Sequence, residues 1–170
     1  MQIFKARDSD KNQLEKFLKK NWGDCEMVIS SGRYNYKNLQ AYIYKDVGCV
    51  VGLITFIQRA TNLEIISVDS TIKSKGIGTA LINHLEKTSR DLSVKKISVI
   101  TTNDNLEALR FYQKNGYRIV EVFPNAVKEA RKIKPSIPLF EANGIPILDE
   151  LRLEKIFKYI KYPRKLKFYV

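Results

Sequence analysis

Three groups of residues in this 170-residue chain could carry chemistry. The first is Lys73-Ser74-Lys75-Gly76-Ile77-Gly78-Thr79, set where a β-rich run ends and an amphipathic run begins. A strand-to-helix turn of this kind presents free backbone N–H groups and the positive end of a helix dipole to an anion. Gly76 and Gly78 remove Cβ atoms that would hold a phosphate away, while Lys73 and Lys75 add charge. A dinucleotide fingerprint would need a third glycine where Leu81 stands, and the Gly-Lys-Ser/Thr of a P-loop is absent. The second is Glu64, an ionisable side chain inside Leu63-Glu64-Ile65-Ile66. Strand alternation puts it on the face of Ile66 and Val68, where a carboxylate can serve as a general base. The plainer alternative is a strand-end glutamate paired with a lysine. The third is Asn105, Ala108 and Tyr112, a polar cap, a small residue and a phenol near one helix face; Tyr112 alone also reads as a core aromatic.

Other reactive side chains are less promising. His84, the single histidine, falls in the second turn of a helical run and reads as a surface or packing residue. Ser67 has no histidine and carboxylate constellation in view, which argues against a serine hydrolase. Cys25 and Cys49 lack the paired spacing of a zinc site, so no metal and no disulfide framework is expected.

Positioning these groups requires a run of strands and helices. Gln2 to Arg7 alternates like a strand, and Asp8-Ser9-Asp10 caps a helix with Leu14, Phe17 and Leu18 on one face. That helix ends at Trp22-Gly23-Asp24; Ser30 to Asn35 lacks clean periodicity and reads as loop or short helix. Leu39 to Lys45 and Cys49 to Gln58 form a hairpin around Asp46-Val47-Gly48. A βαβαβ unit follows: Asn62 to Val68, the helix Gly76 to Leu92, Lys96 to Thr101, the helix Asp104 to Asn115 closed by Gly116, and Tyr117 to Phe123. Pro124 to Ile133 is a short helix, Pro135 to Pro146 a proline-bearing loop, and Asp149 to Lys158 the final strand. A hairpin entering such a unit implies an α/β (α+β) fold, a mixed central sheet of about six or seven strands with helices on both faces.

The glycine turn resembles the acyl-CoA motif Gln/Arg-x-x-Gly-x-Gly/Ala of the GNAT superfamily of N-acetyltransferases, with Lys73 as a basic but unusual first residue. The stretch Asn103 to Tyr117 resembles that superfamily's Asn-x-x-Ala-x-x-x-Tyr-x-x-x-Gly-Phe/Tyr helix. Two such motifs in order are a far stronger signal than either alone. The run from Trp22-Gly23 to Asp149-Glu150 is also similar to bacterial members of the superfamily without an assigned acceptor. The resemblance implies that the Ser67-Val68 strand splays from its neighbour and that acetyl-CoA lies in the opening. Backbone groups of Ile66 and Val68 would pair with the pantetheine arm, and the Val68 N–H would face the thioester carbonyl. The pyrophosphate would rest on the amides from Lys75 through Gly76, Ile77 and Gly78 to Thr79. Glu64 matches a general-base position, acting directly or through water, and Tyr112 matches the residue that protonates the departing thiolate. Asp149 and Glu150 lie where the family shapes its acceptor pocket, although they read more simply as solvated residues at a strand start.

The resemblance thus implies transfer of acetyl from acetyl-CoA to an amine by direct attack in a ternary complex, by a monomer or homodimer. Two rivals remain: a non-catalytic acyl-CoA-binding module, and an RNA- or ribosome-associated protein acting through a basic tail. The net charge of +12 favours an anionic partner and disfavours a strongly cationic acceptor. Half of that excess lies in Lys155 to Val170, with six basic side chains and no acidic one. We therefore divide the chain into an acetyltransferase domain, residues 1–154, and a segment, 155–170, that ends the last strand and continues as a basic, aromatic tail. Strand extension is favoured over nucleic-acid binding for that tail. The apolar stretches are short and the N-terminus lacks a secretion-signal pattern, so a cytoplasmic location and no membrane partner are expected.

Overall fold

Alternating β-branched and aromatic runs produce nine strands among the described residues, and amphipathic runs between them produce four helices. The structure is a computed structural model and describes residues 2–22, 26–91 and 93–157. The strands are β1 (Gln2–Lys5), β2 (Glu26–Ile29), β3 (Gly32–Asn35), β4 (Gln40–Asp46), β5 (Cys49–Arg59), β6 (Asn62–Ser70), β7 (Lys96–Thr102), β8 (Arg118–Phe123) and β9 (Glu150–Ile156). The helices are α1 (Lys11–Trp22), α2 (Ile77–Asp91), α3 (Leu106–Lys114) and α4 (Ala126–Ile133). Seven strands form one sheet in the order β1-β4-β5-β6-β7-β9-β8, and β2 pairs with β3 as a separate hairpin.

Only β6 and β7 pair in parallel, as a crossover through α2 demands; the other sheet contacts are antiparallel. The expected βαβαβ unit is present in sequence, but β9 inserts between β7 and β8. One face packs Ile54, Phe56, Leu63, Ile65, Ile97 and Leu153 against Leu81 and Leu85 of α2. Each fully buried leucine or isoleucine there contributes about 2 kcal/mol. The other face packs Ile43 and Leu53 against Leu14, Phe17 and Leu18 of α1. Helices therefore cover both faces, as the sequence implies.

One expectation needs correction. Ser30 to Asn35 is neither loop nor short helix: it holds the turn and second strand of the β2–β3 hairpin, clamped across by Arg33 and Glu26. Each strand has only four residues and mostly half-buried positions, so no period develops. The last strand continues past Glu154. Lys155 and Ile156 belong to β9, and the Phe157 amide donates to Lys95 O at 2.8 Å. Residues 158–170, which carry the basic and aromatic tail, lie outside the described residues.

Candidate active site

A parallel pair can separate where no side of the ladder forces it to continue, and β6 and β7 do so. Their register runs from Asn62–Lys96 to Ile65–Val99 and stops, although β6 continues to Ser70 and β7 to Thr102. β6 stays paired with β5 on its other side through Ser70. Backbone groups of residues 66–70 that would face β7 are thus free of that strand. The opening leads into a cavity of about 800 Å³.

The cavity gathers most of the residues singled out from sequence. Ile66 and Val68 form one wall with Ser67 and Asp69. Lys73, Gly76, Ile77, Gly78 and Thr79 form its end at the N-terminus of α2, and Asn105, Ala108 and Tyr112 the wall from α3. Lys75 is exposed and Glu64 lies apart; neither lines the cavity.

At the α2 end, Gly76 has φ +73°, a left-handed conformation that glycine adopts without strain, and its Cβ direction is open. The first intrahelical bond of α2, Ala80 N to Gly76 O at 2.9 Å, leaves the preceding amides as unpaired helix donors. Gly78 has a different reason from the one its sequence suggests. A Cβ there would stand 3.1 Å from the Phe111 ring, so this glycine lets α2 approach α3 closely.

On α3, the Asn105 side chain caps the helix by accepting from the Ala108 amide at 3.0 Å. One turn on, Tyr112 is 6% exposed and packs edge-on against Phe111 and Tyr117. Burial first, and the Asp69 carboxylate second, push its phenol well above the ordinary tyrosine range, so it stays protonated.

Glu64 departs from expectation for a structural reason. Thr55 pairs with Ser67 but Phe56 pairs with Ile65, so Ile66 is an extra residue and β6 carries a bulge. Beyond it the alternation inverts: Val68 pairs with Ile54 on the α2 face, whereas Glu64 pairs with Ile57 on the opposite one. There the Glu64 carboxylate accepts from the Tyr34 hydroxyl at 3.2 Å and lies 3.8 Å from Arg59. His84 packs edge-on against Tyr42 at 4.6 Å, a packing role as read from sequence.

Glu150 is a larger departure. The expectation of a solvated strand start fails, because Glu150 is 2% exposed and lines the cavity. Its Oε2 accepts from the Ser30 amide at 2.8 Å and the Ser30 hydroxyl at 2.5 Å, fastening the hairpin turn to the sheet. Asp149 is half-buried, with Oδ1 accepting from the Asn125 amide at 2.7 Å. Sequence gave Glu150 no distinguishing pattern, since a charged residue at the start of a strand resembles any surface residue. Among the described residues no group of three or more His, Cys, Asp or Glu side chains is disposed to hold a metal ion. No described helix is long and apolar enough to cross a membrane.

Residues 7–117 match the family model described as the acetyltransferase (GNAT) family. The chain is 50% identical to the uncharacterized protein YxbD of Bacillus subtilis (strain 168), across 91% of this chain and 98% of that protein. It is 43% identical to YdhI of the same organism, across 92% and 98%. Among solved structures it is similar to a Bacillus subtilis acetyltransferase in complex with CoA, at a TM-score of 0.68, 16% identity, and 92% and 99% coverage. An aminoglycoside 6'-N-acetyltransferase from Enterococcus faecium is similar at 0.65, 21% identity, and 92% and 97% coverage. At these identities the solved structures share the fold.

Proposed function

The chain belongs to the acetyltransferase (GNAT) family, and from that premise we propose that it transfers the acetyl group of acetyl-CoA to a primary amine by direct attack in a ternary complex. One observation carries the reading: the unpaired end of β6, the N-terminus of α2 and the protonated Tyr112 meet in one cavity. The residues present suit this cosubstrate. Free amides and Lys73 at the α2 turn match a pyrophosphate, and the free edge of β6 matches the amide groups of a pantetheine arm. Acetyl-CoA supplies a thioester, whose transfer to an amine exchanges a C–S bond for a C–N bond and leaves a thiolate and a proton to accommodate.

In this reading the amides from Lys75 to Thr79 hold phosphate, with Lys73 adding charge, and the backbone of Ile66 and Val68 orients the arm. The Val68 N–H stabilises negative charge developing on the carbonyl oxygen. Asn105 and Ala108 shape the arm's second wall, and Tyr112 gives its phenolic proton to the leaving sulfur. Glu64 accepts the amine's proton through water, since its carboxylate is 12% exposed and turned to the face beneath the hairpin. A cytoplasmic location fits a user of acetyl-CoA.

The experiment is a thermal melt with and without acetyl-CoA, combined with thiol release over a panel of amines. Binding to the native state raises Tm. Thr79 is exposed in the first turn of α2, so Thr79→Glu leaves the fold intact, a carboxylate being favourable at a helix N-terminus. It nonetheless sets a negative charge against the phosphates and abolishes the shift. A full shift in that variant would put the pyrophosphate elsewhere, and a shift without thiol release from any amine would leave a non-catalytic acyl-CoA-binding module.

A further inference from the structure

The acceptor end of the cavity has a chemistry of its own. Val68 lies three residues past Ile65, and Thr102 three past Val99, the last cross-strand pair of β6 and β7. Glu150 is the register partner of Thr102, and because Ile66 is an extra residue of β6 it stands one step beyond Val68, level with Asp69, across the opening. Its neighbours in the wall are apolar: Met27 and Ile29 from the hairpin, Ile100 from β7, Val127 and Ala130 from α4, and Ile137 from the following loop.

Both donors to Glu150 come from Ser30 and both fall on Oε2. Among the described residues no cation lies within ion-pair distance of its carboxylate, although the side chain is 2% exposed. A buried carboxylate ordinarily has a cationic partner or a full set of donors. Glu26, the other acid on the hairpin wall, is already matched by a two-pronged contact from Arg33. Lys134 lines the same wall and donates to the Glu26 carbonyl at 2.8 Å. Asp69 and Glu107 also line the cavity, from β6 and α3; at the end between the hairpin and α4 the Glu150 carboxylate stands among apolar side chains with Lys134 in the same wall, which suits one positive charge and opposes several.

We propose that the acceptor is a monocationic primary amine on an apolar body, an alkylamine or arylalkylamine, and that Glu150 receives its ammonium group. This rests on the acetyl-transfer reading and adds the substrate class. The apolar body lies between the hairpin and α4, and Ser30 holds the Glu150 carboxylate at the mouth of the β6–β7 opening. Glu150 therefore sets specificity and positions the nitrogen.

The test compares 2-phenylethylamine and hexylamine with spermidine and kanamycin as acceptors, measuring thiol release at saturating acetyl-CoA. Titration calorimetry of 2-phenylethylamine into the CoA-saturated protein reads the site without turnover. We expect the two apolar amines to be acetylated with higher kcat/KM than the polycations. Glu150→Gln keeps the shape and the Ser30 contacts; it should raise KM for 2-phenylethylamine at least about tenfold, with a much smaller change in kcat. The acetyl-CoA-induced rise in Tm should be unchanged in that variant. Ile137→Ser, on a half-buried loop position, should weaken 2-phenylethylamine binding severalfold without touching Glu150. Preference for spermidine or kanamycin, or an unchanged KM in Glu150→Gln, would overturn the inference while leaving acetyl transfer standing. Absence of any acetyl-CoA-induced shift in the unaltered protein would instead overturn the acetyl-transfer reading.

Discussion

Tyr112 and Glu64 occupy different environments, and each environment prescribes a different experiment. Tyr112 is enclosed, and burial with Asp69 nearby disfavours its phenolate. Its proton is therefore available at every pH up to at least about 10, the ordinary tyrosine value. Tyr112→Phe should lower kcat by roughly 100- to 10,000-fold, the range of general acid catalysis, with little change in acetyl-CoA affinity. The unaltered protein should show no Tyr112-dependent fall in rate between pH 7 and 10. An alkaline limb near pH 8 to 9 that vanishes in Tyr112→Phe would contradict this. Glu64 instead sits beneath the hairpin on Tyr34, which also donates toward Ser31 and receives a contact from Arg59. A base working through water loses less on removal than one in contact, so Glu64→Gln should cost about 10- to 100-fold in kcat. A variant within twofold of the unaltered protein would return Glu64 to the role of hairpin anchor.

The first turn of α2, which carries the amides proposed for phosphate, packs closely on a glycine outside the cavity. A Cβ on Gly52 of β5 would come within 2.4 Å of Ile77 and 3.2 Å of Leu81. Gly52→Ala must therefore displace Ile77 in the first turn of α2, at a cost of about 1 to 3 kcal/mol for overpacking. It should lower Tm and also weaken acetyl-CoA binding severalfold, measured by calorimetry, because the displaced turn carries the amides proposed for phosphate. Lost stability with unchanged affinity would show that the turn moves independently of the helix. At this scale the sequence was readable wherever a period persists. Ile77, Leu81 and Leu85 mark α2, and Asn105 to Tyr112 mark α3 and its cap. It was opaque where a single residue resets the pattern: the extra Ile66 inverts the faces of β6, and four-residue β2 and β3 develop no alternation. Glu150, placed near the acceptor pocket by the family resemblance, read more simply as solvated because its burial arises from a hairpin over 100 positions earlier in the chain, through Ser30.

The separated strands and their helices are held as one body partly by a charged group deep in the molecule. Glu86 of α2 is buried, and Lys155 of β9 donates to its two oxygens at 2.9 and 2.7 Å and to the Asn115 carbonyl at 2.9 Å. The same ammonium lies 5.7 Å from the centre of the Tyr117 ring. One side chain thus joins α2, the end of α3 and the strand that begins with Glu150, which places Lys155 within the folded domain. Its value differs with what is removed. Lys155→Met leaves Glu86 buried without its cation, an expected loss of about 3 to 5 kcal/mol, whereas an apolar replacement of both partners can be nearly neutral. For a chain of this size that loss lowers Tm by roughly 6 to 20 °C. The double variant Glu86→Leu/Lys155→Met should recover most of it, and calorimetric melts of the single and double variants measure the coupling. Equal destabilisation of the single and double variants would mean that Lys155 acts through its contacts with Asn115 and Tyr117 instead. Recovery of stability should bring back the acetyl-CoA-induced shift as well, because α2 presents the proposed phosphate turn only while it is held against the sheet.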